Sequence, residues 1–366
     1  MERNIGFAIS SVVNKKVVLG YTGKLDTEIA LYWLSKIKKY EVYACSIQIG
    51  QQEYLNPLGE QAIDGGARSS YVIDLKNEFA NNYVCPAIFA QVIYESGYNL
   101  CHALSRPLIA KELIRYAYEE GITKIALGCR GLGNDHIRFE KCINALSSDF
   151  EIIFPLKELK LKNIEDDKKF AKEHKLGNYD EYVDIDQNIF GRTISLSDNL
   201  YKIHNMPGNV FFWVNNIQNA PEQPIEVVIE FRKGIPVKLN KERLPSFQIL
   251  ENLNILAGKC GIGKIFTIEN SLLGRKIYEC YEIPASIVLY KAIEFLKELV
   301  FNHKTLQIDR MLSGMLSALI YTGDWFSSAT EGILAFYKKL RKYVNGEITL
   351  ELFKGNINIK KWKIFE

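Results

Sequence analysis

The sequence predicts an α/β protein, in which a doubly wound, mostly parallel sheet is followed by an α+β domain. Up to about residue 175, short apolar strand patterns alternate with helix-length stretches, which is typical of a parallel sheet built from βαβ units. Beyond that point, a hairpin pattern and several long helical patterns replace the alternation. A chain of 366 residues is also long enough for two or three domains. We therefore predict two domains, residues 1–175 and 176–366.

The elements of the first domain follow from its apolar runs. Short strand patterns occupy residues 16–20, 42–47, 71–75 and 124–128. Helical patterns occupy residues 29–38, 57–65, 80–94, 107–119 and 136–146. Pro107 is expected in the first turn of its helix, where the missing N–H is harmless. Ligands of such sheets bind beyond the carboxyl ends of the strands, so the turns after residues 20 and 128 are candidate site positions.

The predicted elements of the second domain follow a different order. Residues 176–205 are polar and rich in turn-forming residues, which predicts a linker that can still carry site residues. An antiparallel hairpin is predicted from residues 225–231 and 235–239, around Lys233 and Gly234. Further helices are predicted at residues 247–257, 285–299, 309–321 and 330–343, and closing strands at 347–353 and 356–360.

The composition excludes several classes of protein. Hydrophobic residues make up 47% and charged residues 24% of the chain, which excludes disordered and collagen-like proteins. No apolar run reaches the ~20 residues of a membrane span, and the N-terminus lacks a convincing signal peptide, so we expect a cytoplasmic protein without a membrane partner. Seven scattered cysteines without a CxxC pair indicate reduced thiols. A net charge of +3 without a basic tract indicates no nucleic-acid partner.

The segment from Gly20 to Glu28 joins the first strand to the first helix. Free backbone N–H groups and the helix dipole favour an anion at such a turn. Thr22 and Thr27 would add hydroxyl donors, and Gly23 would allow close approach of the backbone. The alternative is an ordinary turn in which Asp26 or Thr27 caps the helix, and the spacing alone does not exclude it.

Residues 131–140 form a second polar junction between a strand and a helix. Asn134 or Asp135 would cap the helix, and Arg138 follows one turn later on the same face. A capped helix with solvated charges is the alternative interpretation of this segment. Two polar junctions at strand ends of one sheet nevertheless favour a binding site there.

Other motifs indicate structure and not a site. Residues 258–264 satisfy the pattern GxxxxGK, but Ile265 replaces the serine or threonine that would hold magnesium, and the order of strand and helix is reversed. We therefore predict a helix end with glycine caps. Asp166 and Asp167 are expected at a solvated helix start. The five histidines show no metal-binding spacing, so no metal ligands are predicted.

Taken together, these segments resemble the argininosuccinate synthase family, which belongs to the ATP-pyrophosphatase (PP-loop) group. The resemblance covers nearly the whole chain in order. Its strongest match is Gly131 through Glu140, against the family pattern G-K-G-N-D-Q-V-R-F-E. Other matches are residues 17–23, 25–27, 49–51, 105–111, 186–188, 191–193, 261–265, 268–270, 281–285 and 321–326. The resemblance implies an adenine nucleotide alpha-hydrolase-like fold for the first domain and a synthetase domain after it.

The resemblance also implies a reaction with ATP and Mg²⁺ as cofactors. The family adenylates the ureido oxygen of citrulline and releases pyrophosphate, after which the α-amine of aspartate displaces AMP. Such a protein must hold three ligands and neutralise phosphate charge. Small amino-acid-like substrates and a homo-oligomer, either a dimer or a tetramer, are therefore expected. The chain ends at Glu366, about where the family begins its C-terminal oligomerisation arm.

Positions that match the family's motifs give the candidate site residues. The candidates for catalysis are Asp26, Asp135 and Arg138. The candidates for nucleotide binding are Tyr21, Thr22, Gly23, Lys24, Asp26, Thr27, Glu28, Ile47, Gly128, Gly131 and Gly133. The candidates for substrate binding are Tyr98, Ala103, Arg130, Asn134, Asp135, Arg138, Asp184, Thr193, Glu269 and Tyr281.

The phosphate loop departs from the family pattern at two positions. The family has Ser-Gly-Gly-Leu-Asp-Thr-Ser, whereas here Lys24 replaces the second glycine and Glu28 replaces the last serine. A carboxylate about 4 Å from a phosphate costs ~4 kcal/mol at an effective dielectric constant near 20, which would weaken ATP binding about a thousandfold. Alternatively, Glu28 turns outward and complements the helix N-terminus, or pairs with Lys24 on the helix surface.

The substrate positions depart as well. Ile47 replaces an alanine beside the adenine, Cys101-His102-Ala103 replaces Gly-Thr-Ser with loss of a citrulline-binding hydroxyl, and Asp184 replaces a citrulline-binding serine. Arg130 replaces the threonine that contacts aspartate. We expect Arg130 to point into the aspartate pocket, where it would select another anionic nucleophile or close the pocket. If it points outward or pairs with Asp135, aspartate would still fit.

These departures lead to a main hypothesis and two alternatives. The main hypothesis is an ATP-dependent, AMP-forming carbon–nitrogen ligase of argininosuccinate synthase type with altered substrates. The alternatives are an authentic argininosuccinate synthase and a non-catalytic homologue with a binding or regulatory role. Modification of tRNA by a PP-loop enzyme is disfavoured, because the chain has neither a cysteine pair nor a basic tract.

Overall fold

The computed structural model describes residues 15–51, 55–131, 133–177, 179, 185–197 and 211–365, and it confirms the α/β class. Its strands are β1 (Lys16–Gly20), β2 (Glu41–Gln48), β3 (Ser69–Asp74), β4 (Lys124–Leu127), β5 (Glu151–Ile153), β6 (Ile185–Asn188), β7 (Gly191–Ser197), β8 (Ile225–Arg232), β9 (Ile235–Leu239), β10 (Glu242–Arg243), β11 (Lys264–Asn270), β12 (Lys276–Glu282), β13 (Gly346–Phe353) and β14 (Asn356–Ile364). Its α-helices are α1 (Leu25–Tyr32), α2 (Leu55–Gly65), α3 (Lys76–Phe79), α4 (Cys85–Ala90), α5 (Cys101–Glu119), α6 (Asn134–Leu146), α7 (Pro155–Glu158), α8 (Ile164–Glu173), α9 (Ser246–Lys259), α10 (Pro284–Val300), α11 (His303–Tyr321) and α12 (Ser328–Leu340). π-helical turns at Trp33–Ile37 and Ala80–Val84 extend α1 and join α3 to α4.

The first five strands form one parallel sheet in the order β3-β2-β1-β4-β5. Val17, Val18 and Leu19 of β1 are completely buried, as expected for the central strand of a sheet covered on both faces. The chain moves outward from β1 to β2 and β3, and then crosses to β4 on the other side. This change of direction opens a crevice between the carboxyl ends of β1 and β4, where Gly20 pairs in register with Leu127.

Several helices begin earlier than predicted, among them α1 at Leu25, α6 at Asn134 and α11 at His303, and two further boundaries have an identifiable local cause. α5 begins at Cys101, so Pro107 lies inside the helix and the predicted start there was wrong. Upstream side chains cap its first turn, because Asn99 Oδ1 accepts from the Cys101 N–H at 3.2 Å and Tyr98 OH accepts from the Ala103 N–H at 3.3 Å. The helix predicted over residues 80–94 begins earlier and ends at Ala90, where Gln91 adopts a left-handed conformation with φ 54°.

The second part of the chain forms two antiparallel sheets. The hairpin of β8 and β9 is confirmed, and it belongs to a sheet with the order β10-β9-β8-β13-β14. The other sheet has the order β11-β12-β7-β6. The prediction of a linker over residues 176–205 was wrong for 185–197, because β6 and β7 add to the edge of β12. Their sequences are too polar for a recognisable strand pattern, since several of their side chains face a cleft.

The glycine-rich segment near residue 260 ends a helix, as predicted. α9 stops at Lys259, and Gly261 follows with φ 76°, a conformation that glycine adopts without strain. At Gly263 a Cβ atom would lie 2.5 Å from the Pro284 nitrogen, so a close backbone approach also requires glycine there. Within the described ranges, no helix is long and apolar enough to cross a membrane.

Candidate active site

A cleft of about 480 Å³ lies between the carboxyl end of the parallel sheet and the sheet that contains β7, β11 and β12. The candidate site residues that line it are Tyr21, Thr22, Lys24, Asp26, Thr27, Ile47, Tyr98, Gly128, Arg130, Gly131, Gly133, Asn134, Asp135, Arg138, Thr193, Glu269 and Tyr281. The candidates Gly23, Glu28 and Ala103 are not among its lining residues. Asp184 lies outside the described residues. Residues from both parts of the chain thus converge on one cavity.

The turn between β1 and α1 has a fixed conformation. Thr27 Oγ1 accepts a hydrogen bond from the Thr22 N–H at 3.3 Å, and the two threonine hydroxyls lie 3.1 Å apart. Gly23 has φ 72°, and a Cβ atom there would lie 2.4 Å from Leu58 Cδ2, so only glycine fits. The amino end of α1 therefore opens on the cleft with a rigid, hydroxyl-rich turn.

Asp26 lies in the first turn of α1, against the end of β4. Its Oδ1 atom accepts from the Thr27 N–H at 2.8 Å, and a Cβ atom at Gly128 would lie 3.0 Å from its Oδ2 atom. Glycine at position 128 therefore allows this carboxylate to approach the neighbouring strand end. Burial raises the pKa of Asp26, against the opposing influence of Lys24 and Arg130.

Lys24 connects the phosphate loop to the second part of the chain. Its Nζ atom donates to the Ile185 carbonyl at 2.6 Å and to Asp186 Oδ1 at 2.8 Å. The predicted pair of Lys24 with Glu28 is therefore not formed. Lys24 holds the pKa of Asp186 well below its usual range, so that carboxylate is ionised.

Glu28 faces neither the cleft nor the solvent, which corrects both alternatives drawn from the sequence. Its Oε1 atom accepts from the Tyr21 hydroxyl and, at 2.8 Å, from Gln61 Nε2. The residue is 9% exposed, and burial raises its pKa although both donors oppose the shift. Because the carboxylate is held behind the loop, the repulsion expected between Glu28 and a phosphate does not arise from this arrangement.

Alternating charges cross the floor of the cleft. Arg106 Nη2 lies 2.6 Å from Asp135 Oδ2 and 3.5 Å from Asp186 Oδ2, and Arg138 Nη1 lies 3.1 Å from Asp135 Oδ1. Burial favours the neutral form of Asp135, but the two arginines outweigh it and lower its pKa to about 2. Asp135 is therefore an anion at neutral pH and an acceptor for ligand N–H groups.

An aromatic slot closes the other end of the cleft. The rings of Tyr98 and Tyr281 stack with their centroids 4.5 Å apart. Glu269 accepts from the Tyr281 hydroxyl and, at 3.4 Å, from that of Tyr321. Arg138 donates through Nε to the Tyr321 carbonyl at 2.8 Å and lies over the Tyr321 ring. Burial raises the pKa of Glu269, while Tyr281 and Arg138 oppose that shift.

Asn134 ties α6 to this slot. Its Nδ2 atom donates to the Tyr321 hydroxyl at 2.9 Å, and its Oδ1 atom accepts from the Leu272 N–H at 2.8 Å. These contacts hold the start of α6 against the second part of the chain. Thr193 reaches the cleft from β7, on the same side as Glu269 and Tyr281.

Arg130 lines the rim of the cleft but binds a different element. Its Nε atom donates to Asp167 Oδ2 at 2.8 Å, and its Nη2 atom donates to the same oxygen. Asp167, in the first turn of α8, has no exposed surface, so the prediction of a solvated charge there was wrong. A buried carboxylate requires a compensating cation, and this explains why Arg130 pairs with Asp167 and not with Asp135.

Both parts of the chain match models of one protein family. A family model described as "Arginosuccinate synthase N-terminal HUP domain" matches residues 16–177, and one described as "Arginosuccinate synthase C-terminal domain" matches residues 183–363. The argininosuccinate synthase of Lactococcus lactis subsp. cremoris (strain MG1363) is 39% identical over 345 residues, which cover 93% of this chain and 86% of the relative. Those of Listeria monocytogenes serotype 4a and Listeria welshimeri serovar 6b are 39% and 40% identical over 348 residues, or 94% of this chain and 86% of each relative.

The chain belongs to the argininosuccinate synthase family. Membership confirms the resemblance drawn from the motifs, and it makes the chain a member of a family of ATP-dependent carbon–nitrogen ligases. The family positions that contact the cleft are those of the two strand-to-helix junctions and the aromatic slot. The match spans both parts of the chain, as the cleft does.

The polar residues of this argininosuccinate synthase-family cleft that are absent from the sequence-based candidates include His102, Arg106 and Asp186. Arg106 and Asp186 lie within the matched segments 105–111 and 186–188, where a charged residue is a signal for ligand binding. His102 attracts notice in the sequence only because it belongs to a segment that lacks the family's hydroxyl groups. In each case the signal is a polar residue inside or beside a matched motif.

The cleft contains polar atoms that suit a polar, anionic ligand. Within the described part of the chain, Arg106 Nε, Arg138 Nη2 and His102 Nε2 are buried and have no hydrogen-bond partner. Buried donors without partners are costly, so ligand atoms are their natural acceptors. Among the described residues, no group of three or more His, Cys, Asp or Glu side chains could hold a metal ion. Nucleotide-bound Mg²⁺ does not require such a group, because one or two carboxylates together with phosphate oxygens and water commonly hold it.

Proposed function

We propose that this chain is an argininosuccinate synthase, which joins citrulline and aspartate at the expense of ATP and forms AMP and pyrophosphate. The observation that carries this proposal is the orientation of Glu28 and Arg130. Both residues suggested altered ligands from the sequence, but Glu28 binds Tyr21 and Gln61 behind the loop, and Arg130 binds Asp167. The cleft therefore keeps the family's Asn134 and Asp135 without either obstacle.

The nucleotide would lie against the turn between β1 and α1. Thr22, Thr27 and the amino end of α1 offer hydrogen-bond donors and a positive dipole to phosphate oxygens. Lys24 lies at the same place, and its ammonium group can exchange Asp186 for a phosphate, because both are anionic oxygen ligands. Mg²⁺, when bound with ATP, supplies further positive charge at the phosphates.

The aromatic slot would hold the ureido substrate. Tyr98 and Tyr281, stacked on each other, form its aromatic wall, Glu269 provides an acceptor for ureido or amine N–H groups, and Arg138 provides a fixed cation. The ureido oxygen attacks the α-phosphorus and pyrophosphate leaves. Orientation of these groups in one cleft replaces the entropy cost of bringing them together in solution.

The second step requires a neutral amine. The amine of aspartate attacks the ureido carbon and the C–O bond to AMP breaks. The attacking nitrogen loses one proton. Asp135, with its pKa lowered to about 2, is a poor base at neutral pH. We therefore propose that Asp135 holds Arg106 and Arg138 in place and accepts a hydrogen bond from an N–H group of the substrate. It does not remove the proton.

The alternative of altered substrates is favoured by one specific observation. In the segment Cys101–Ala103 the family's hydroxyl is absent at Ala103, and His102 lines the cleft. A ureido compound other than citrulline would then be adenylated by the same groups. The non-catalytic alternative predicts nucleotide or amino-acid binding without turnover. Mg²⁺ use, the homo-oligomer, the cytoplasmic location and the division into residues 1–175 and 176–366 stay predictions.

The test is product analysis with purified protein. Incubation with citrulline, aspartate and magnesium-ATP should give argininosuccinate, AMP and pyrophosphate in equal amounts, measured by mass spectrometry and a pyrophosphate assay. Omission of aspartate is the matched control. AMP formation only with a different ureido compound would support the altered-substrate alternative. The absence of AMP with every compound, together with measurable ATP binding, would support the non-catalytic one.

A further inference from the structure

His102 occupies an unusual place in the cleft. It is the second residue of α5, it is 7% exposed, and within the described part of the chain its Nε2 atom has no hydrogen-bond partner. The family pattern Gly-Thr-Ser has a threonine at this position. An imidazole reaches farther from the helix than a threonine hydroxyl, so position 102 presents a different donor to the ligand than the family pattern does.

His102 lies where the main cleft meets a smaller cavity. It lines the main cleft, which contains Arg138 and Tyr281, and also an adjoining cavity of about 80 Å³. Tyr21, Thr22 and Ile47 of the nucleotide side line that smaller cavity as well. In an adenylating ligase, the group that joins the nucleotide to the second substrate is the α-phosphate.

We propose that His102 binds the α-phosphate of the nucleotide through a hydrogen bond donated by Nε2. The proposal rests on the proposed function only for the identity of the ligand as an adenine nucleotide. Lys24 and Arg106 line both cavities and bring positive charge to the same place. Asp186 also lies there as an anion, but Lys24 and Arg106 both bind it and offset its repulsion of a phosphate.

The electrostatic environment keeps this histidine neutral. Burial lowers the pKa of His102 to about 4, and the neighbouring charges of Asp186, Arg106, Asp135 and Lys24 partly cancel one another. A neutral imidazole with a proton on Nε2 still donates one hydrogen bond.

The test measures binding of AMP and of adenosine by calorimetry, because only AMP carries the α-phosphate. A hydrogen bond to a charged group corresponds to a loss of about tenfold or more in affinity when it is removed. His102→Ala should therefore weaken AMP binding at least about tenfold and leave adenosine binding within about twofold. His102→Gln, whose amide nitrogen can lie where Nε2 lies, should keep most of the AMP affinity.

His303→Gln is the matched control, because His303 is an exposed residue at the start of α11. If His102→Ala fails to fold, the pair His102→Gln and His102→Asn carries the test, since the shorter Asn cannot place a donor at the Nε2 position. Equal loss of AMP and adenosine affinity, or no loss of either, would overturn the proposal. Failure of the wild-type protein to make argininosuccinate, with AMP binding still dependent on His102, would instead count against the proposed function alone.

Discussion

The orientation of Arg130 decides whether aspartate fits the cleft, and it can be tested by replacing Arg130 with the family's threonine. Arg130 Nε lies 2.8 Å from Asp167 Oδ2, and Asp167 has no exposed surface. Arg130→Thr therefore leaves a buried carboxylate without this cation. Breaking a buried ion pair by removing one partner costs about 3–5 kcal/mol, and the partial exposure of Arg130 places the expected loss near ~3 kcal/mol.

Two measurements on Arg130→Thr separate a structural from a substrate-binding role. For a domain of about 150–250 residues, ~3 kcal/mol lowers the melting temperature by about 6–12 °C. The KM for aspartate, in contrast, should change by less than about threefold, because the guanidinium is bound to Asp167. Differential scanning fluorimetry and steady-state kinetics on the same preparation give both values.

A second substitution provides the control for this prediction. Asp167→Asn in the Arg130→Thr background removes the buried charge, so the double variant should be more stable than Arg130→Thr alone. An aspartate KM that changes more than tenfold, with a melting temperature within about 2 °C of the wild type, would show that Arg130 faces the substrate. That result would restore the sequence-based expectation of an altered second substrate.

Three further predictions concern the loop and the slot. Gly23→Ala should weaken ATP binding about tenfold in calorimetry, because an L-residue at φ 72° costs ~1–2 kcal/mol in the phosphate loop. Gly121→Ala is the control: Gly121 has φ 64° and open space around its Cβ, and this variant should leave ATP affinity unchanged. Lys24→Gly and Glu28→Ser should change ATP affinity independently, because the two side chains bind different partners. The fold-change of the double variant should equal the product of the two single fold-changes within about twofold, and a larger deviation would contradict this. Burial raises the pKa of Glu269 in the folded protein, so the wild type loses stability as the pH rises above the pKa of the unfolded chain. The melting temperature of Glu269→Gln minus that of the wild type should therefore increase with pH. A pH-independent difference would count against this prediction.

Local sequence is sufficient to locate both junctions of the cleft. Short-range rules about glycine and helix dipoles locate the turn from Gly20 to Thr27 and the start of α6 to within a few residues. These rules involve residues within one turn of each other. The predicted caps were wrong, because the N-cap residues are Lys24 and Gly133 and neither helix has a side-chain cap hydrogen bond, so Asp26, Thr27, Asn134 and Asp135 lie inside the first turns. The parallel sheet then brings the two junctions together, because β1 and β4 are adjacent. The sequence therefore indicates the two junctions, and the strand order that brings them together is seen in the structure.

Side-chain direction does not follow in the same way. Lys24 binds Asp186, 162 positions away in the chain, and Arg130 binds Asp167, 37 positions away. The sequence pattern misses one feature of each pair. It predicts a linker in place of β6, and it predicts a solvated helix start where Asp167 of α8 is buried. The helix start predicted near Pro107 is wrong for a related reason. Caps from Tyr98 and Asn99, farther up the chain, override a rule about proline.

In the proposed reaction, this chain activates the ureido oxygen by joining it to AMP. An isotope label in that oxygen tests this step. Citrulline labelled with ¹⁸O in its ureido group is incubated with aspartate, magnesium-ATP and the protein, and the AMP is analysed by mass spectrometry. Attack by the amine breaks the bond between the ureido carbon and that oxygen, so the account predicts one ¹⁸O atom in the phosphate of each AMP. Unlabelled AMP, or formation of ADP in place of AMP, would contradict the account.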